Sequence, residues 1–225
     1  MDNTASPSRG RTRRLTTTAM LCAMAYAVML VTRPLPSVMG FLSLDPKDVI
    51  VVIGGFIYGP LTSLIISAIV SFVEMITVSS TGPYGMIMNI FSTCSFAIPA
   101  ALVYKKSRNM KGAVMGLAAG VVSVAVAMVL WNWIITPIYM KMPRNVVAAM
   151  LPTVFLPFNL VKGGINASIT MLIYKPIVTA LRAAKLVDIP AAGGKGKINV
   201  AITIATVIIL AACVVLFVVL YKAHS

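Results

Sequence analysis

Acidic side chains are the scarcest chemistry in this chain. Five Asp and Glu stand against nineteen Lys and Arg in 225 residues, and the single His is His224. So few carboxylates exclude a carboxylate-rich metal motif and the relay of buried acids that a proton pump requires. One His excludes a His-based metal centre. Cysteine is sparse as well. Cys22, Cys94 and Cys213 each lie within an apolar run without paired spacing, and they read as small buried hydrophobes. A P-loop, a Cys/His pair and a Ser-x-x-Lys arrangement in a catalytic setting are also missing. Gly193-Gly194-Lys195-Gly196-Lys197 is a flexible basic linker. The chain therefore performs no covalent chemistry on this reading, and any energy from ATP comes from a partner. No polar stretch exceeds about 20 residues, which leaves no room for a soluble catalytic domain.

What is present is apolar. Hydrophobic residues make up 59% of the chain and charged residues 11%, where a soluble domain carries roughly 25% charge. Apolar runs near the ~20 residues that cross a bilayer recur along the whole length. This pattern predicts an all-α, multi-pass membrane protein in contact with lipid. The net charge of +14 invites a nucleic-acid partner. The basic residues, however, cluster between hydrophobic runs, where membrane topology places them, and not on a soluble surface.

Residues 1–14, with Arg9, Arg11, Arg13 and Arg14, read by composition as a disordered cytoplasmic tail. A first span over 15–32 carries Ala19, Ala23 and Ala27 on one face, spaced so that another helix can approach closely. Residues 33–47 form a loop stiffened by prolines and unusually apolar (Val38, Met39, Phe41, Leu42, Leu44), which predicts a lid folded over the protein. The run 48–79 is too long for one span, and Gly59-Pro60 divides it. Further spans follow at 84–104 and 112–139, the latter opening with Gly112, Gly116 and Gly120. After a loop at 140–152 comes the span 153–181, in which Gly163-Gly164 offers a break point. A basic linker at 183–197 leads to a last, uncharged run at 198–221. Alternating seven spans from a cytoplasmic N-terminus places thirteen of the nineteen basic residues inside. The C-terminus then lies outside. The 33–47 lid, the 140–152 loop and the pair Asn159/Lys162 share the outer face.

Few polar groups lie in or beside the spans: Asp45, Lys47, Asp48, Glu74, Lys162, and the amides Asn132 and Asn159. Each is costly in hydrocarbon, so each must face protein, water or ligand. Asn159 and Lys162 are three residues apart and share a helix face. Two readings stand side by side. Lys162 pairs internally with Asp45 or Asp48, or Lys162, Asn159 and Asn132 address a polar heterocycle stacked on Phe41, Phe158, Trp131, Trp133 and Tyr139. The aromatics equally fit an interfacial belt. Glu74 either pairs with a buried polar group or lines the site.

These residues carry a resemblance. Phe41-Leu42-Ser43-Leu44-Asp45-Pro46-Lys47-Asp48, the Gly54-Gly55 to Gly59-Pro60 helix, Pro99 to Lys106, Asn132, and Pro157-Phe158-Asn159-Leu160-Val161-Lys162-Gly163 are similar to the substrate-binding S components of energy-coupling factor (ECF) vitamin transporters. Within that family the likeness is to the riboflavin-specific members. It covers about residues 15–182. It implies a six-helix core and a pocket opening outward under the first loop, with riboflavin as transported ligand rather than cofactor. Asn132, Asn159 and Lys162 match positions that hold the isoalloxazine and ribityl groups. Asp45, Phe41, Leu42, Phe158, Tyr139 and, more loosely, Glu74 fall around that pocket. Ala19 and Ala23, extended by Ala27, match the face that meets the transmembrane coupling subunit, which carries two ATPases. The linker and seventh span depart from the family pattern. A binder of another vitamin or of a flavin nucleotide is the nearest alternative, and an intramembrane lipid-modifying enzyme or an inert scaffold lies further off.

Overall fold

The computed structural model describes residues 7–40, 42–79, 81–184 and 200–224. Helix follows helix: α1 (Pro7–Thr32), α2 (Lys47–Tyr58), α3 (Pro60–Thr77), α4 (Gly82–Lys106), α5 (Met110–Met140), α6 (Arg144–Met150), α7 (Leu156–Ala183) and α8 (Val200–His224), with a π-helical turn, Leu151–Phe155, joining α6 to α7. Among the described residues the one β feature is an isolated bridge between Val38 and Leu42.

Six of these helical stretches are long and apolar enough to cross a bilayer. The exception is α2. Its 12 residues rise only about 18 Å, short of a ~30 Å hydrocarbon core. The run 48–58 is the short helix that Gly59-Pro60 delimits, enclosed in the bundle rather than facing lipid. Every residue from Lys47 to Ile57 is buried, because α1, α3, α4 and α7 enclose the helix. A helix wrapped on all sides can be apolar all round. Gly59 makes the turn into α3 at φ +98°, a left-handed conformation that favours glycine. Pro60 then starts α3, where its missing N–H costs nothing.

Three expectations need correcting. The tail reading of 1–14 fails from Pro7 onward, where α1 already runs. Arg14 anchors it, with its guanidinium 5.6 Å from the centre of the Tyr58 ring and donating to Thr62 Oγ1 at 3.2 Å. The 140–152 loop contains α6, which Pro143 introduces at its N-terminal boundary. Gly163-Gly164 does not break α7. Helix continues through both because each meets a neighbour: Gly163 lies against Val121 and Val124, and Gly164 against Cys213. Residues 1–6 and the linker residues 185–199 lie outside the described residues.

Helices α4 and α5 form the tightest seam. A Cβ on Gly116 would stand 2.6 Å from the Ala100 carbonyl oxygen, and one on Gly120 would stand 2.5 Å from that of Phe96. Gly120→Leu is expected to cost about 1–3 kcal/mol through forced separation. A lower unfolding midpoint in detergent checks this. Val122→Leu, at a position 62% exposed on the same helix, should leave the midpoint in place.

The bundle has two ends. Arg14, Tyr58 and the basic turn after α4 mark one. The segment 33–46 caps the other, with Val38 and Leu42 buried beneath it. Their mutual backbone hydrogen bonds, both 3.0 Å, hold this roof in shape. The apolar loop does fold over the protein, as its composition predicts.

Candidate functional site

Under the roof lies an open cavity of about 180 Å³. Arg33, Gly40, Leu42, Ser43 and Asp45 line it from above, and Glu74 with Ser79 and Thr81 from one side. Met88, Asn89 and Ser92 of α4 and Met128 and Tyr139 of α5 form the walls. Phe158, Asn159 and Lys162 of α7 complete it. Four separate helices thus converge on one space. Volumes of roughly 300–1,000 Å³ are usual for preformed ligand pockets. A ligand of vitamin size therefore enters only if the roof and long side chains such as Met88 and Met128 give way.

The electrostatics centre on a residue that sequence reasoning did not place in the site. Lys47 has 2% of its side chain exposed; its Nζ stands 2.6 Å from Asp45 Oδ2 and 2.5 Å from Glu74 Oε2. Asn89 donates to the same Glu74 oxygen at 3.2 Å. One turn into the bundle, Asp48 accepts from Thr93 Oγ1 at 2.6 Å and faces Lys162 Nζ at 3.9 Å. Asn166 donates to the Asp45 carbonyl at 3.4 Å. Three carboxyl groups and two amino groups thus share one buried cluster. Three of the five acidic residues of the chain are spent here. Both readings of Glu74 hold together, since it pairs with Lys47 and also lines the cavity. Lys162 pairs with Asp48 rather than Asp45. Lys47 claims Asp45, because it sits two residues away and closes the loop onto the start of α2.

Asn159 donates through Nδ2 to the Phe155 carbonyl at 2.8 Å. That bond closes over the π-helical turn and fixes the amide plane. Its Oδ1 has no hydrogen-bond partner among the described residues, and Asn159 lines the cavity. Leu42, Phe158 and Tyr139 line it as well. Asn132 does not. It is fully buried, its Nδ2 donates to Met128 O at 2.7 Å, and its Oδ1 accepts from Thr136 at 2.9 Å. The aromatics divide. Trp131 stacks on Phe91 at 4.3 Å between α5 and α4, whereas Trp133 is exposed on the bundle surface. Phe41 lies outside the described residues.

Sequence reasoning missed Lys47 and Asp48 as members of the site, and Asn89 and Asn166 altogether. The signal for the amides was available: each is a lone Asn in an apolar run, the same feature that singled out Asn132 and Asn159.

Away from the cavity, Ala19, Ala23 and Ala27 are all exposed along α1, while Leu21, Ala25 and Met29 on its opposite face are buried. Helix α1 packs on α2 and α3, and α8 packs on α7. The small-residue face is therefore uncovered by the described residues.

Comparison with known proteins gives this arrangement a context. A family model described as the substrate-specific component of ECF transporters matches residues 13–174. The riboflavin transporter FmnP of Bacillus subtilis is 29% identical over 188 residues, covering 78% of this chain and 99% of that protein. The riboflavin transporter RibU of Staphylococcus aureus is 26% identical over 176 residues, covering 76% of this chain and 93% of that protein. A solved structure of the S component of a bacterial ECF transporter superposes with a TM-score of 0.66. It is 24% identical and covers 76% of this chain and 99% of that one; the likeness extends to the fold.

Proposed function

Since this chain belongs to the substrate-specific components of ECF transporters, we propose that it captures riboflavin for ATP-driven uptake. As a member of that family it is a multi-pass membrane transport component rather than an enzyme. The vitamin is the finer reading, and the names of two relatives support it. So does the cavity, where Asn159 Oδ1, Lys162, Asn89 and Ser92 offer acceptors and donors beside Phe158, Tyr139, Met88 and Met128. A heteroaromatic ring with a polyhydroxy tail needs that mixture: flat apolar contacts for the ring and a few placed polar groups to orient it. The observation that carries the reading is the floor formed by α7. Asn159 presents an acceptor without a hydrogen-bond partner among the described residues, one turn from the amino group of Lys162, and both line the same cavity.

In this account the basic end of the bundle is cytoplasmic, the roof faces outward and the C-terminus lies outside, a reading that the bias of basic residues supports. Ala19, Ala23 and Ala27 form the contact for the transmembrane coupling subunit, which with its ATPases turns the loaded protein to release ligand inward. The exposure of that face, and the position of α8 on α7 away from it, support this docking.

Asn159→Ala should weaken riboflavin binding by about 1–3 kcal/mol, the cost of one unmade hydrogen bond in a buried setting. Titration by quenching of riboflavin fluorescence measures it, and an unchanged affinity would remove Asn159 from the contact. Arg33 at the cavity rim is a cation suited to a phosphate. The same titration with flavin mononucleotide therefore decides between the vitamin and its nucleotide.

A further inference from the structure

The last helix lies beyond the residues that match the family, which end at 174. Its surroundings are unequal. Val215, Leu216, Val218 and Val219 are each at least 45% exposed, whereas Phe217 between them is 6% exposed. Leu210, Cys213, Phe217, Leu220 and Tyr221 recur at helical spacing on one side. They belong to a single apolar cluster with Val38 and Leu42 of the roof, Phe155 of the π-helical turn, and Phe158 of the cavity wall. The contact behind this cluster is close. A Cβ on Gly164 of α7 would stand 2.7 Å from Cys213 Sγ, so α8 seats against α7 through glycine, two residues beyond Lys162.

We infer that α8 is part of the ligand-retaining unit, with Phe217 a positioning residue that holds the roof over the cavity. The inference rests on the cavity being the ligand site proposed above. At about 180 Å³ that cavity must open to admit a ligand. The part that opens includes Leu42, which lines the cavity and shares its apolar cluster with Phe217. A side chain that stabilises the closed roof slows its opening, and a bound ligand escapes only through an open roof. An added helix thus gives this chain a longer-lived complex than its six-helix core would have.

The test uses the full chain in lipid nanodiscs and two readouts. Phe217→Ala is expected to release riboflavin about tenfold faster. In the ligand-free protein it should speed hydrogen exchange at the Val38 and Leu42 amides, which bridge the roof. Phe217→Leu should restore most of both. Gly164→Leu, which pushes α8 off α7, should reproduce the effect of Phe217→Ala. Ile208→Ala, at a position 62% exposed on the far face of α8, should change neither. Unaltered release and exchange in Phe217→Ala and Gly164→Leu would overturn the inference. So would a general loss of thermal stability that Phe217→Leu does not rescue. Wild-type protein that fails to bind riboflavin, yet whose roof amides respond to Phe217→Ala, would sink the vitamin reading and leave the brace standing.

Discussion

Lys47→Met is expected to destabilise the fold by about 3–5 kcal/mol, the cost of stripping one partner from a buried ion pair. The side chains are similar in volume, so packing changes little and the loss is electrostatic. Asp45 and Glu74 would be left facing each other, with only the residue-47 backbone N–H donating to Asp45 and Asn89 to Glu74, while Lys162 stays 3.9 Å from Asp48. Two neighbouring carboxylates without a cation cannot both stay charged at that depth. Unfolding midpoints in one detergent measure the effect. Neutralising the partners should reverse it: Lys47→Met combined with Asp45→Asn and Glu74→Gln should recover most of the loss, because a neutral cluster of the same shape has no uncompensated charge. A midpoint unmoved by Lys47→Met would mean that the cluster is solvated and holds nothing. The same substitution should weaken ligand binding, since Asp45 ends the roof and Lys47 ties it to α3.

Ala23→Trp should abolish uptake and leave binding intact. The position is exposed on α1, beside Ala19 and Ala27, and the buried side of the helix faces α2 and α3. An indole there points away from α2 and α3, yet it would hold a docked helix away by several ångströms where small residues let backbones approach. Cells dependent on external riboflavin report uptake, and fluorescence quenching on purified protein reports binding. Trp at Val122, a position 62% exposed on α5, is the control and should leave both unchanged. If Ala23→Trp removes binding too, the face supports the cavity and does not meet a partner.

Much of this was legible in the residues, and the gaps have physical reasons. Apolar runs and prolines placed the spans within a few residues, because lipid forces backbone into helix wherever the run is long enough. Helix α2 ends where Gly59-Pro60 places it, but its setting was not legible. Apolar composition does not separate a helix facing lipid from one wrapped by four others, and only its 12 residues hint at the difference. Helix α6 and the first turns of α1 escaped because polar, proline-flanked stretches read as loops until tertiary contacts such as Arg14 with Tyr58 are known. At the site, α7 was readable since Asn159 and Lys162 are neighbours in sequence. The pairing of Lys47 with Glu74 spans 27 residues, and no local pattern reveals which acid a lysine will choose. Asn132 is ambiguous for the opposite reason: an amide in an apolar helix must be satisfied, and here Met128 and Thr136 on its own helix satisfy it.

The central claim is that the cavity beneath residues 33–46 holds riboflavin. Full-length protein, purified in detergent from cells grown with the vitamin, should carry flavin absorbance in a one-to-one complex. After the ligand is stripped, it should quench added riboflavin stoichiometrically, and Asn159→Ala should do so more weakly. Colourless protein that quenches neither riboflavin nor flavin mononucleotide, while remaining folded and monodisperse, would contradict the account.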